Sequence, residues 1–277
     1  MQHIHISAKQ RPFDLCLGEL WQYRSLVWLF TRRSFKVSYM QTILGPLWLI
    51  INPLLTSLAY VVLFGNIAKL GTDGVPQLLF YFSGHAIWSF FSSCVSKNAA
   101  TFTSNAYLFG QVYFPRLVMP VSYVLSDLIR YGIQMLLVLA LLFWYALHGM
   151  VTPAWGAWPL LPLVLVQLGV MGMGVGVIVS SLTTKYRDLS ILVDFGMTLW
   201  LYATPVVYPL SAADVGLRRL LLVNPVTALI ELYRHILLGV GQLEPAPLIW
   251  SWVFTLAVAL AGILIFNRIE RTFIDTV

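Results

Sequence analysis

Asp127 and Arg130 stand three residues apart inside a run of apolar side chains, and a three-residue step puts both on one face of a helix. Charged groups in such a setting either neutralise each other or mark a polar path, because burying one alone costs on the order of several kcal/mol. The two readings here are an internal ion pair, which is the simpler, and a role in a path. Asn52, His85 and Gln134 also sit in apolar surroundings. They are open to the same choice: lining a polar path, or hydrogen bonding between helices. Asp194 stands six residues beyond Asp188 and offers a contact to Lys185, to Arg187 or to a partner.

Enzymatic chemistry needs more than isolated polar groups. The chain has no G-x-x-x-x-G-K-[ST] and no Gly-Lys pair, so it carries no P-loop of its own. It has no G-x-S-x-G, no H-E-x-x-H and no carboxylate cluster at the end of an apolar stretch. His3 and His5 form at best a weak chelating pair, and Cys16 and Cys94 match no metal spacing and suggest no disulfide. No catalytic, cofactor-binding or metal set is assigned.

The elements that position these residues are membrane helices. Between Arg130 and Lys185 lie 54 residues, Tyr131 to Thr184, without Asp, Glu, Lys or Arg. As helix they would run about 80 Å, against a hydrocarbon core of about 30 Å. The stretch crosses twice, with a break at His148-Gly149-Met150 and Thr152-Pro153. Composition agrees: 59% hydrophobic and 10% charged, where soluble domains carry roughly 25% charged residues. Backbone in lipid must satisfy its own hydrogen bonds, and the alternation of a barrel is absent. The fold class expected is therefore an all-α membrane protein with six transmembrane helices, forming one domain over 1–277. The spans are 43–65, 77–103, 117–147, 158–182, 189–208 and 246–266.

Three further pieces do not span. Residues 14–36 place Leu17, Leu20, Trp21, Leu26, Trp28 and Leu29 for one face of an amphipathic helix lying in the interface. Residues 104–116 link spans 2 and 3. Residues 211–245 are too apolar for a free loop and too interrupted at Asn224-Pro225 to cross and return, so they read as a re-entrant outer helical pair. Most of the seventeen Lys and Arg fall on one side; only Lys69, Arg218, Arg219 and Arg234 fall on the other. That bias puts both termini in the cytoplasm, and the first 40 residues lack the pattern of a cleaved signal. The net charge of +6 reads as cytoplasmic loop charge and not as a nucleic-acid footprint.

Gly172, Gly174, Gly176 and Ser180 offer a face of small side chains, for packing within the chain or for a seam with another copy. Aromatics cluster in span 2 (Tyr81, Phe82, Trp88, Phe90, Phe91) and span 5 (Phe195, Trp200, Tyr202). Flat rings stack on the apolar faces of sugars, and they also anchor helices in lipid.

Four segments carry a resemblance. They are LWQYRSLVWLFTRRSFKVSYMQTILGPLWLIINPLL (Leu20–Leu55), YFPRLVMPVSYVLSDLI (Tyr113–Ile129), KYRDLSILVDFGMTLWLYATPVVYPLS (Lys185–Ser211) and NPVTALIELYRHILLG (Asn224–Gly239). In this order they resemble the permease subunits of ABC type-2 exporters, those for O-antigen, capsule or teichoic-acid polysaccharides in particular. Ser34 and Arg130 depart from the family pattern, which favours acidic residues there.

The resemblance implies a permease in the bacterial inner membrane that pairs with a second copy of itself. Two separate ABC ATPase subunits would bind ATP and Mg, with no cofactor in this chain. It implies a lipid-linked polysaccharide as substrate and no nucleic acid. The expected ATPase coupling surface is Phe109, Gly110, Tyr113, Phe114 and Arg116, with aromatic side chains plugging a groove on the ATPase. Arg24, Arg32, Arg33 and Lys36 would bind the lipid phosphate, or simply attract anionic lipids. The expected substrate path comprises Asn52, Tyr81, His85, Trp88, Phe91, Phe195, Trp200 and Tyr202. The alternatives are export of a small amphipathic drug or lipid, and a scaffold for glycan synthesis.

Overall fold

The computed structural model describes residues 17–37, 43–111, 114–183 and 189–273. His3, His5, Cys16, Tyr113, Lys185 and Arg187 lie outside them. The described chain is all helix and turn, with no strand among the described residues. In order the helices are α1 (Leu17–Gln22), α2 (Arg24–Val37), α3 (Trp48–Tyr60), α4 (Gln77–Ala99), α5 (Thr101–Gln111) and α6 (Val118–Leu147). They continue with α7 (Leu161–Thr183), α8 (Leu189–Tyr202), α9 (Val215–Val223), α10 (Pro225–Leu238) and α11 (Pro245–Phe273).

Five stretches are long and apolar enough to cross a bilayer: Gly45–Ile67, Gln77–Ala99, Val118–Leu147, Trp155–Leu182 and Pro245–Phe266. Helix α8 has 14 residues, about 21 Å of rise, and stops before Thr204-Pro205. Proline cannot donate to the helical ladder and disfavours helix in the residue before it. The fifth expected span is thus shorter at its far end, by six residues. The second is shorter too. It ends at Ala99, and α5 begins at Thr101 with its Phe102 N–H donating to Ser180 Oγ of α7 at 3.2 Å.

Helix α4 is the hub, with 72% of its spanning window buried. Glycines of α7 let the two backbones close. A Cβ at Gly172 would stand 2.8 Å from Cys94 Cβ, and one at Gly176 2.6 Å from the Val95 carbonyl oxygen. On the other side of α7, a Cβ at Gly174 would stand 2.9 Å from Val258 Cγ1 of α11. The small-residue face is therefore spent inside the chain. Contact at this distance supplies the dispersion energy that binds helices in lipid, where no hydrophobic drive acts between them.

The bundle closes differently at its two ends. At one, α2 lays Val27, Phe30 and Thr31 against α6, and Thr31 Oγ1 donates to the Val27 carbonyl at 2.8 Å and the Ser122 carbonyl at 3.4 Å. Its opposite face shows Trp28 and Leu29 to the surroundings, as an interface helix must, and Trp21 of α1 is exposed beside them in sequence. At the other end, α9 and α10 meet at 101°. Asp214 caps α9 through the Leu217 N–H (3.3 Å), and Asn224 caps α10 through the Val226 N–H (3.1 Å), with Pro225 opening the helix.

Candidate functional site

An open groove of about 350 Å³ runs between α3, α4 and α8. Helix α4 supplies His85, Trp88, Ser89, Ser92, Ser93 and Ser96. Tyr60 closes it from α3, and Asp194, Met197, Thr198 and Leu201 from α8. The serines recur at three- and four-residue steps, so they form one hydroxyl stripe down a single helix face. Ser96 Oγ donates to Asp194 Oδ1 at 3.2 Å, and Thr198 Oγ1 donates to the Asp194 carbonyl at 3.0 Å. The two helices run antiparallel here, since Phe91 meets Trp200 while Ser96 meets Asp194.

Behind the stripe lies a smaller cavity of about 150 Å³ between α3, α4 and α6. It shares His85, Ser89 and Ser93 with the groove and adds Asn52, Asp127, Arg130 and Gln134. The residues whose polarity stood out in the sequence thus converge from three helices. Asp127 is the electrostatic centre: Lys97 of α4 pairs closely with its Oδ1, and Arg130 Nη1 lies 3.8 Å from the same oxygen. The internal ion pair is present, with Lys97 as its nearer member.

The expected path residues separate into three groups. Asn52, His85 and Trp88 line the cavities. Tyr81, Phe91 and Trp200 stand behind the surface. Phe91 and Tyr81 are fully buried, Phe91 meets Trp200 edge-on at 5.3 Å, and Trp200 Nε1 donates to Asn224 Oδ1 at 3.1 Å. Phe195 and Tyr202 do not line the groove; they are exposed on α8, as are Ile191 and Leu199. Helix α3 is equally uncovered, with 17% of its spanning window buried.

The segment after α4 packs inward. Phe109, Phe114 and Arg116 are buried. Phe114 lies 5.7 Å from both Phe109 and Phe30 of α2, and the Arg116 guanidinium sits 5.4 Å from the Phe109 ring centre. These three tie α5 to α2. Gly110 is exposed, and the outward aromatic is Tyr107, 78% exposed. Arg24, Arg32, Arg33 and Lys36 are all exposed on the outer face of α2, beside Trp21 and Trp28, and Arg24 lies 5.5 Å from the Trp21 ring centre.

Two features escaped the sequence reading. The serine stripe was visible as Ser89-x-x-Ser92-Ser93-x-x-Ser96. The second is a buried pair on α10, Glu231 and Arg234, 3.3 Å apart. Arg234 Nη2 donates to the Val206 carbonyl (2.8 Å) and the guanidinium Cζ lies 4.0 Å from the Phe80 ring centre, while Glu231 Oε2 accepts from the Gln242 N–H (2.9 Å). Gly241, at φ +115°, makes that last approach possible, because a Cβ there would come 2.7 Å from the Glu231 carbonyl oxygen.

The chain is a multi-pass helical bundle with an open groove between α3, α4 and α8. The ABC-2 type transporter family model matches residues 25–238, and the chain belongs to that family. It is 33% identical over 222 residues to the O-antigen export system permease protein RfbA of Myxococcus xanthus, covering 79% of this chain and 82% of that protein. It is 26% identical over 251 residues to the O-antigen export system permease protein RfbA of Klebsiella pneumoniae, covering 90% of this chain and 94% of that protein.

Proposed function

We propose that this permease exports lipid-linked polysaccharide of the O-antigen type across the bacterial cytoplasmic membrane. The observation that carries the reading is the groove. Its hydroxyl stripe and the half-buried Tyr60 offer hydrogen bonds and a ring surface, the two contacts a sugar chain uses, without a deep pocket that would arrest it. The names of the Myxococcus xanthus and Klebsiella pneumoniae relatives support the same substrate.

The groove is open along α3 and α8, whose outer faces are apolar. A second copy placed against those faces closes it into a conduit and brings Phe195 and Tyr202 to the seam. ATP and Mg belong to two separate ATPase subunits docked at the α2 and α5 end, with both termini cytoplasmic. Tyr107 and Gly110 offer the exposed contact there, while Phe109, Phe114 and Arg116 transmit motion from α5 to α2. Arg24, Arg32, Arg33 and Lys36 hold the phosphate that joins lipid to glycan.

The test is to delete the chain and locate the lipid-linked glycan. Polymer retained on the cytoplasmic side with synthesis intact supports export. Glycan reaching the surface normally refutes it in favour of a small amphipathic substrate, and loss of synthesis itself points to a scaffold.

A further inference from the structure

The groove carries little charge on its described lining. Of the described residues that line it, none is Lys or Arg, and the single acidic one is Asp194. Asp194 is exposed in the groove, and its Oδ1 takes a hydrogen bond from Ser96 at 3.2 Å. Asp194 makes no ion pair among the described residues. Lys97 and Arg130, the described cations of α4 and α6, both pair with Asp127. Among the described residues, a solute in the groove therefore meets hydroxyls, the His85 ring and one carboxylate, and no Lys or Arg.

We infer that the groove is matched to an uncharged glycan and works against polymers that carry a carboxylate or phosphate on each repeat. The inference rests on the polysaccharide-export reading and sharpens it. From Ser89 to Ser96 the stripe spans about 10 Å of path. Sugar hydroxyls exchange between equivalent serines along it, so a neutral chain moves without a deep minimum. A chain with an anion on every repeat brings like charge past Asp194 throughout its passage, and once a second copy closes the groove that repulsion is less screened than at an open surface. A phosphate linker passes only once for each polymer and leaves that difference intact.

The experiment uses cells lacking their own export permease, supplied with this chain and its ATPase. They make either a lipid-linked neutral hexose homopolymer or a lipid-linked polymer alternating hexose with hexuronic acid. The readout is surface glycan relative to total, expressed as the acidic-to-neutral ratio, so that a change in permease amount cancels. With the natural chain the acidic polymer is expected at the surface at least about tenfold less than the neutral one. Asp194→Asn is expected to raise that ratio severalfold, and Asp194→Glu, which keeps the charge, to leave it where the natural chain has it. Equal export of both polymers by the natural chain overturns the inference, as does a ratio that Asp194→Asn leaves unmoved. If neither polymer reaches the surface while the permease sits in the membrane with its ATPase, the export reading itself has failed.

Discussion

The Glu231 and Arg234 pair fastens the outer helices to the bundle, and its strength can be measured. The side chains are 4% and 2% exposed, so neither charge has bulk water to fall back on. Arg234→Met removes the donor to the Val206 carbonyl and the cation over Phe80, and leaves the Glu231 carboxylate facing only the Gln242 N–H. Breaking a buried pair from one side costs about 3–5 kcal/mol. Glu231→Gln keeps an acceptor for Gln242 and leaves Arg234 the carbonyls of Val206 and Tyr208, the latter 3.4 Å from Nη1, so about 1–3 kcal/mol is expected, as for a lost charged hydrogen bond. The double variant strands no charge. It should cost less than the sum of the singles by more than about 1 kcal/mol. Unfolding by SDS in mixed micelles, followed through tryptophan fluorescence, gives the three values. Additivity within about 0.5 kcal/mol would refute the account, because it would mean that the two groups act independently.

Gly176→Ala drives a methyl into the Val95 carbonyl and should cost about 1–3 kcal/mol. Gly132→Ala on α6 meets nothing within 4 Å and should be neutral or gain up to about 1 kcal/mol; thermal stability in detergent compares the two. Phe114→Ala is expected to lose about 3–5 kcal/mol of stability. Tyr107→Ala should leave the unfolding midpoint unchanged yet lower ATP-driven export, and a Tyr107→Ala variant with full export would remove Tyr107 from the coupling surface. Charge reversal of Arg32 and Arg33 should reduce export more than membrane insertion; equal loss of both, by surface-glycan assay and membrane fractionation, would assign them to lipid attraction alone.

Charge gaps in the sequence located the spans because membranes exclude charge. Val118–Leu147 and Trp155–Leu182 fall within three residues of the expected limits. The end of α8 was harder to see, since Ala203-Thr204-Pro205-Val206-Val207 is as apolar as the helix before it and only proline's missing donor stops the turn. Arg234 read as an outer-loop cation because sequence charge normally marks water; its partner three residues earlier was the available sign of burial. The aromatic clusters announced themselves by composition, but composition does not say which face a ring occupies. Phe91 and Trp200 therefore became wall and Phe195 became surface. The serines of α4 carried no charge to attract notice, although their helical spacing was the better clue to the groove.

The glycine contacts that lock α4 to α7 and α7 to α11 also divide the labour of the bundle. Helices joined backbone to backbone form a stator. Sliding them would drive Cys94, Val95 and Val258 into main-chain atoms within a fraction of an ångström. Helices α3 and α8 touch this stator mainly through rings and a few hydroxyls, which tolerate small rotations. The width of the groove is therefore a soft coordinate and its floor a hard one. In the proposed export cycle, work delivered at the α2 and α5 end would go into tilting the two loosely held helices, and the serine rail would stay in register throughout the stroke.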